Sequence, residues 1–280
     1  MAQIIVVTSA KGGTGKSTVS ASMGLALALR GHRTVVVEFD TGLRTLDLLL
    51  GCDRRIVFDM NNVIENEADL NDALVRDKRS DQLYLLAASQ TRDKNSLTKN
   101  GVSKLFDKLQ KAGFDYIICD SPPGIDRGAR IALYFADTAI VVTTPDPVAV
   151  RAADRMLGLL QTETRRAKNS LSPATEHLLI NRIRKSDVAD GWQLPGSEVS
   201  DMLGINTLAV VPECPYVQQA CAQGTPVVLN EESAAGRALS FAVAYLVGDK
   251  SAVRPANTDT DRETDKKPAG KLLGRLFNRQ

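Results

Sequence analysis

The stretch SAKGGTGKST, residues 9–18, decides the fold of this chain. It lies between the apolar run QIIVVTS (residues 3–9) and a helical pattern that begins at Ser17. A glycine-rich loop that ends in Lys-Ser between a strand and a helix matches the phosphate-binding pattern G-x-x-x-x-G-K-[ST], except that Ala10 takes the first glycine position. The stretch therefore predicts a nucleotide site on an α/β fold. The other interpretation is a glycine-rich turn with an incidental lysine.

The residue types of this loop suit a polyphosphate. Its glycines let backbone N–H groups turn inward around phosphate oxygens, and the helix that follows adds the positive end of its dipole. Lys16 supplies a positive charge to the β and γ phosphates, and the Ser17 hydroxyl is a ligand for Mg²⁺. We expect nucleotide contacts from the loop residues Lys11, Gly12, Gly13, Thr14, Gly15, Lys16, Ser17 and Thr18.

The rest of the chain alternates strand and helix patterns. Apolar β-branched runs such as RTVVVEFD (residues 33–40), FDYIICD (114–120) and DTAIVVTTP (137–145) are separated by longer segments with apolar residues at helical spacing. Unbroken runs of this kind are typical of strands that helices bury on both faces. The alternation predicts an α/β fold with a doubly wound, mostly parallel sheet flanked by helices.

Composition is that of an ordinary globular protein. The 280 residues are 43% hydrophobic and 24% charged, and a net charge of +2 is too small to predict a general nucleic-acid surface. The N-terminal residues do not follow the pattern of a secretory signal, and no apolar run approaches the roughly 18 residues of a membrane-spanning helix. We therefore expect a cytoplasmic protein that does not span a membrane.

Lys11 distinguishes this loop from an ordinary phosphate-binding loop, because one lysine is enough for a nucleotide bound by its own subunit. The form K-G-G-x-G-K-[ST] resembles the deviant Walker A motif of the MinD/ParA family of ATPases. The segments FDTGLRTLDLLLGCDRR (residues 39–55), FDYIICDSPPGI (114–125) and VRAADRMLGLL (150–160) are similar to the MinD branch of that family. The resemblance extends over residues 1–248 and returns in the C-terminal tail.

This resemblance implies a slow, partner-stimulated ATPase that uses ATP and Mg²⁺, dimerises on binding ATP and regulates placement of the division septum. The implied partners are a second copy of the chain, anionic lipids on the cytoplasmic face of the cell membrane, a MinC-type inhibitor and a MinE-type activator, with no specific nucleic acid. In the family the first lysine contacts the partner subunit's phosphates, so Lys11 joins Lys16 as a catalytic candidate. The family also implies that Asp40 orients the attacking water, although Asp40 could instead cap the next turn.

Three further positions are assigned to the nucleotide site. Asp120 follows the apolar run YIIC, where a strand end would bring its carboxylate to Mg²⁺, and the other interpretation is a surface aspartate that ends a buried strand. Asn181 resembles the asparagine that binds adenine in many relatives, with a structural asparagine at the strand end as the rival interpretation. Pro212, in VVPE, would form the other wall of the adenine pocket.

Three positions depart from the family pattern. Glu38 and Thr45 replace the usual aspartate and asparagine of the segment that contains Asp40, and Ala152 replaces an aspartate in VRAAD. The first two departures bear on hydrolysis, and the third bears on partner contacts of its helix.

The C-terminal residues change in composition. We divide the chain into a P-loop ATPase domain over residues 1–248, a flexible polar linker over 249–267 and an amphipathic membrane-targeting helix over 268–280. On that helix one face collects apolar residues and a neighbouring edge collects basic ones, namely Leu272, Leu273, Leu276 and Phe277, and Lys271, Arg275 and Arg279. Such a helix would lie in an anionic membrane surface and is too short to span it. Docking onto its own domain is the other interpretation.

Two other functions remain compatible with these residues. A ParA-type partition ATPase would bind DNA, but the only dense basic cluster of the sequence is the tail. Binding of duplex DNA by protein without its tail would favour that function. A nucleotide-dependent membrane scaffold would have lost hydrolysis through Glu38 and Thr45, and it would release no phosphate even with lipid vesicles and a regulator.

Overall fold

An eight-stranded sheet forms the centre of the molecule in the computed structural model, which describes residues 1–92 and 96–249. Its strands are β1 (Gln3–Thr8), β2 (Thr34–Glu38), β3 (Val75–Arg76), β4 (Leu83–Leu86), β5 (Tyr116–Asp120), β6 (Thr138–Thr143), β7 (Thr175–Ile183) and β8 (Thr207–Pro212). They follow the order β3-β4-β2-β5-β1-β6-β7-β8, and within this part of the chain every neighbouring pair is parallel except β3 with β4. The sheet confirms the predicted doubly wound, mostly parallel α/β fold.

Helices cover both faces of the sheet. They are α1 (Lys16–Leu29), α2 (Leu46–Leu50), α3 (Met60–Ile64), α4 (Leu70–Ala73), α5 (Lys99–Lys111), α6 (Arg127–Tyr134), α7 (Pro147–Glu163), α8 (Arg165–Lys168), α9 (Lys185–Ala189), α10 (Gly196–Leu203), α11 (Pro215–Ala222) and α12 (Ala234–Leu246). Single turns of 3₁₀ helix span Asp53–Arg55 and Val227–Leu229. The buried side chains of α1, α2 and α12 pack on one face, and those of α3, α5, α6, α7 and α10 pack on the other.

Burial on both faces explains the unbroken apolar run of β1. Side chains alternate along a strand, so Ile4 and Val6 join one buried cluster while Ile5 and Val7 join the other. Strand β1 lies between β5 and β6 in the middle of the sheet. The phosphate loop that follows it is therefore attached to the most enclosed part of the molecule.

Helix α1 lies close against the sheet at Gly24. A Cβ atom at this position would lie 2.4 Å from Cγ2 of Val36 on β2, which is closer than real contacts allow. Because glycine has no Cβ atom, the backbone of α1 can approach the sheet. This close approach packs α1, the helix that follows the phosphate loop, against the sheet.

The last described helix ends near the amino-terminal edge of the sheet. Tyr245, close to the end of α12, makes an edge-to-face contact with His177, the third residue of β7, with ring centroids 6.1 Å apart. No helix within residues 1–92 and 96–249 is long and apolar enough to cross a bilayer. From residue 250 onward the predicted linker lies outside the described residues, as does the predicted helix over 268–280. The proposed division of the chain therefore stays a prediction.

Candidate nucleotide-binding site

The predicted phosphate loop lies at the carboxyl-terminal edge of the sheet, between the end of β1 and the start of α1. Gly13 and Gly15 have positive φ angles of 79° and 95°, which other residues rarely adopt. A Cβ atom at Gly15 would also lie 2.3 Å from Nδ2 of Asn181. Both the backbone and the packing of the loop therefore require glycine at residue 15.

Asn181 holds the loop from strand β7. Its Nδ2 donates a hydrogen bond of 2.7 Å to the carbonyl oxygen of Thr14. The hydroxyl Oγ1 of Thr14 is buried and has no hydrogen-bond partner within the described residues. A buried hydroxyl without a partner, at the N-terminus of a helix, suits a phosphate oxygen. The loop thus fits a bound nucleotide.

Five polar side chains gather behind the loop. Oγ of Ser17 donates a hydrogen bond of 2.7 Å to Oδ2 of Asp120, and Oγ of Ser20 donates one of 2.8 Å to Oδ1. Lys16 and Asp40 lie close enough to influence the pKa of the Asp120 carboxyl. The side chains predicted for phosphate, metal and water thus meet at the ends of β1, β2 and β5.

Burial and opposing charges set the protonation of this cluster. Burial lowers the pKa of Lys16, although the charges of Asp120 and Asp40 raise it. Burial raises the pKa of Asp120 to about 6, although hydrogen bonds from Ser17 and Ser20 lower it. Both shifts disfavour the charged forms, so a ligand that brings opposite charges would restore them. A phosphate beside Lys16 and Mg²⁺ beside Asp120 would supply such charges.

Lys11 lies outside this cluster. Its Nζ is 3.3 Å from Oδ1 of Asp146, the N-cap residue of α7. Asp146 also accepts hydrogen bonds from Oγ1 of Thr144 and from the backbone N–H of Ala149. Burial raises the pKa of Asp146, but these hydrogen bonds and the charge of Lys11 outweigh burial and hold the pKa below its usual value. The two loop lysines therefore have different surroundings, because the Lys11 side chain is 45% exposed whereas Lys16 is buried.

A cleft of about 300 Å³ opens beside the loop. Its lining includes Lys11, Gly12, Gly13 and Thr14 on the loop side and Arg182 and Glu213 on the side of β7 and β8. Pro212, predicted to contact the base, is the half-buried last residue of β8. Thr18 faces α11 instead, with its Oγ1 3.8 Å from Sγ of Cys221. The cleft thus lies between the phosphate loop and Glu213, the residue that follows Pro212.

Glu38 is fully buried at the end of β2, where it is paired in register with Asp120. Burial is the main cause of a pKa raised to about 7, and the charge of Asp120 adds to the shift. Hydrogen bonds from the backbone N–H groups of Thr45, Leu46 and Ala88 oppose it. Two positions that depart from the family pattern, Glu38 and Thr45, are therefore in direct contact.

Sequence reasoning missed several contacts of this site, among them those made by Ser20 and Asp146. Ser20 lies one helical turn after Ser17, so spacing on α1 could have indicated that both hydroxyls face the same group. Asp146 precedes Pro147, and Asp-Pro before a helical pattern is a signal for a helix start. That signal predicts the cap but not the ion pair with Lys11.

Comparison of the sequence and comparison of the structure both find MinD proteins among the relatives of this chain. A family model for an AAA domain matches residues 2–172. The septum site-determining protein MinD of Escherichia coli (strain K12) is 49% identical over 254 residues, which are 91% of this chain and 94% of that protein. The protein of the same name from Neisseria meningitidis serogroup B is 50% identical over 256 residues, again 91% of this chain and 94% of its own length.

Solved structures share the architecture. A chain of the MinC:MinD cell division protein complex of Aquifex aeolicus superposes with a TM-score of 0.80 and 34% sequence identity, covering 91% of this chain and 99% of that chain. The septum site-determining protein MinD of Pyrococcus horikoshii, complexed with Mg-ADP, superposes with a TM-score of 0.76 and 27% sequence identity. The match covers 90% of this chain and 98% of that chain. The likeness therefore extends well beyond the phosphate loop.

Proposed function

This chain belongs to the MinD family of septum site-determining ATPases, and from that membership we propose that it couples ATP-driven dimerisation to reversible membrane attachment during placement of the division septum. The observation that carries the proposal is the contrast between the two loop lysines. Lys16 is buried near Asp120, whereas Lys11 lies on an exposed edge that a second subunit can approach. The contrast supports a role for Lys16 at the nucleotide of its own subunit and for Lys11 at the nucleotide of the partner subunit.

We assign ATP and Mg²⁺ to the cleft and the cluster behind it. Ser17 and Asp120 would hold Mg²⁺, because both offer oxygen ligands and their oxygens lie 2.7 Å apart. The metal ion would neutralise negative charge on the phosphates during transfer. The relative from Pyrococcus horikoshii, complexed with Mg-ADP, supports this assignment. Asn181 and Pro212 remain our candidates for the adenine side of the site.

Phosphoryl transfer to water needs orientation and charge stabilisation more than covalent catalysis. Lys16 would neutralise the β and γ phosphates, and Asp40 would accept a hydrogen bond from the attacking water. Lys11 would complete the charge around the phosphates only when a partner subunit supplies it. Hydrolysis by a single subunit would therefore be slow.

Besides a second copy of the chain, the proposed partners are a MinC-type protein, a MinE-type activator and anionic lipids. One relative, from Aquifex aeolicus, forms a MinC:MinD complex, which supports a MinC-type partner for this chain. We assign this contact to the outer side of α7, where Arg151 and Asp154 are exposed and Ala152 is half-buried. A MinE-type activator would accelerate hydrolysis by ordering the segment around Asp40. Anionic lipids would bind residues 268–280, so the dimer would lie on the cytoplasmic face of the cell membrane.

Sedimentation with lipid vesicles tests the proposal. Protein mixed with anionic vesicles should sediment with them in the presence of ATP and Mg²⁺, and much less with ADP or without nucleotide. Phosphate release should rise with vesicles and an activator. Equal sedimentation under all three nucleotide conditions would contradict the proposal.

A further inference from the structure

The side chain of Glu38 closes the loop that contains Asp40. Oε1 of Glu38 accepts hydrogen bonds from the backbone N–H groups of Thr45 at 2.6 Å and of Leu46 at 3.0 Å. The hydroxyl of Thr45 lies 3.3 Å from the same oxygen. One carboxylate oxygen therefore joins the two ends of residues 39–45, which we call the Asp40 loop, and satisfies the first N–H groups of α2.

The second carboxylate oxygen reaches a different segment. The backbone nitrogen of Ala88, just beyond β4, lies 3.4 Å from Oε2 of Glu38. A second bond joins the same two segments, because the N–H of Gly42 donates to the carbonyl oxygen of Ser89 at 2.9 Å. The Asp40 loop is thus fastened both to itself and to residues 87–89.

Burial makes this restraint effective. The exposed fraction of Glu38 is 0%, and a carboxylate without water depends on the hydrogen bonds that the protein donates to it. A buried N–H group whose acceptor is removed is costly to leave unpaired. If the acceptor oxygens of Glu38 were removed, the N–H groups of Thr45 and Leu46 would lose their hydrogen-bond partner. The conformation of the Asp40 loop is therefore tied to one side chain.

We propose that Glu38 is a positioning residue for hydrolysis, which acts by fixing the Asp40 loop through its backbone. The proposal rests on the ATPase function proposed above. Asp40 follows Glu38 by two residues and lies near Lys16 and Asp120. A shift of the loop would move the Asp40 carboxylate relative to the phosphates, and misplacement by about 1 Å can cost on the order of 100-fold in rate.

Glu38→Gln tests the positioning role, with Glu232→Gln on the exposed surface as its matched control. Glutamine keeps one acceptor oxygen but presents an NH₂ group where the other oxygen lay, so it cannot accept from both segments. We expect kcat to fall about 10- to 100-fold while KM for ATP changes less than about threefold. Glu232→Gln should leave both values unchanged. Glu38→Asp keeps the carboxyl group on a shorter side chain and should lose part of the rate.

Amide hydrogen exchange without nucleotide tests the mechanism independently of activity. In Glu38→Gln, exchange should become faster in residues 41–46 and 87–89, while peptides from β1 and residues 9–18 keep the parental protection that reports a folded protein. If Glu38→Gln does not fold, the same two measurements on Glu38→Asp decide the question. Reduced kcat with parental exchange would overturn the proposal, because Glu38 would then act directly. Faster exchange with parental kcat would overturn it as well. If the parental protein hydrolysed no ATP, the proposed function would fail, whereas exchange would still report whether Glu38 restrains the loop.

Discussion

Lys11 and Lys16 belong to the same loop, yet their surroundings predict different mutant phenotypes. Lys16→Ala should weaken ATP binding and abolish ATP-dependent dimerisation, because the phosphates would enter the buried site without their counter-charge. Lys11→Ala should leave ATP binding by the monomer within about threefold of the parental affinity, while the dimer and hydrolysis are lost. Binding of a fluorescent ATP analogue and sedimentation velocity measure the two properties. Equal loss of ATP binding in both variants would refute the trans role of Lys11.

The two aspartates of the cluster should also differ. Asp40→Ala should bind ATP and dimerise but hydrolyse about 100-fold more slowly, because the attacking water loses its orienting group. Asp120→Ala should weaken nucleotide binding only when Mg²⁺ is present, because Ser17 alone cannot hold the ion. Titrations with and without Mg²⁺, together with phosphate release, separate these effects. A parental hydrolysis rate in Asp40→Ala would remove Asp40 from the mechanism.

Helix α2 is held at its C-terminal end by Arg79. The guanidinium donates hydrogen bonds to the carbonyl oxygens of Leu50, at 2.7 Å, and of Gly224, at 3.0 Å. It also forms an ion pair with Asp77, and the two side chains are only 14% and 3% exposed. Arg79 therefore joins the end of α2 to the turn that follows α11.

Replacing Arg79 should destabilise the domain. Arg79→Ala leaves the buried Asp77 without its counter-charge, and breaking a buried pair costs about 3–5 kcal/mol. Arg76→Ala is the matched control. Arg76 forms an ion pair with Asp81, and the two side chains are 60% and 81% exposed, so the pair should contribute less than about 1 kcal/mol. Urea unfolding measures both variants. Similar free energies of unfolding for the two variants would contradict the structural role of Arg79.

The sequence predicted elements better than it predicted contacts between them. Central strands such as β1 have apolar runs that local pattern alone reveals, whereas the two-residue strand β3 is too short to produce one. The buried cluster around Asp120 was predictable because parallel strands end at the same edge. The ion pair of Lys11 with Asp146 joins residues 135 positions apart, and no local pattern encodes it. The contacts of Glu38 escaped prediction because they are made to backbone N–H groups.

Dimerisation should control membrane binding. One amphipathic tail is a weak anchor, but in a dimer the second insertion becomes intramolecular and avidity can rise by a factor on the order of 10² to 10⁴. Deletion of residues 271–280, or Leu273→Glu combined with Phe277→Glu, should abolish vesicle binding with ATP. ATP-dependent dimerisation in solution should survive, because the predicted dimer contacts lie at the phosphate loop. Undiminished vesicle binding after the deletion would show that residues 271–280 are not the membrane anchor.

The edge of the sheet opposite the nucleotide site offers a position where a reporter protein can be inserted. The phosphate loop and the cluster around Asp120 lie at the carboxyl-terminal edge, whereas the turn between α5 and β5 lies at the opposite edge. Gly113 in that turn is exposed, and a Cβ atom there would meet no atom of the described residues within 4 Å. A fluorescent protein inserted at Gly113 would lie across the length of β5 from the nucleotide site, at the opposite edge of the sheet. Such a reporter should follow the protein in living cells without slowing its ATPase cycle.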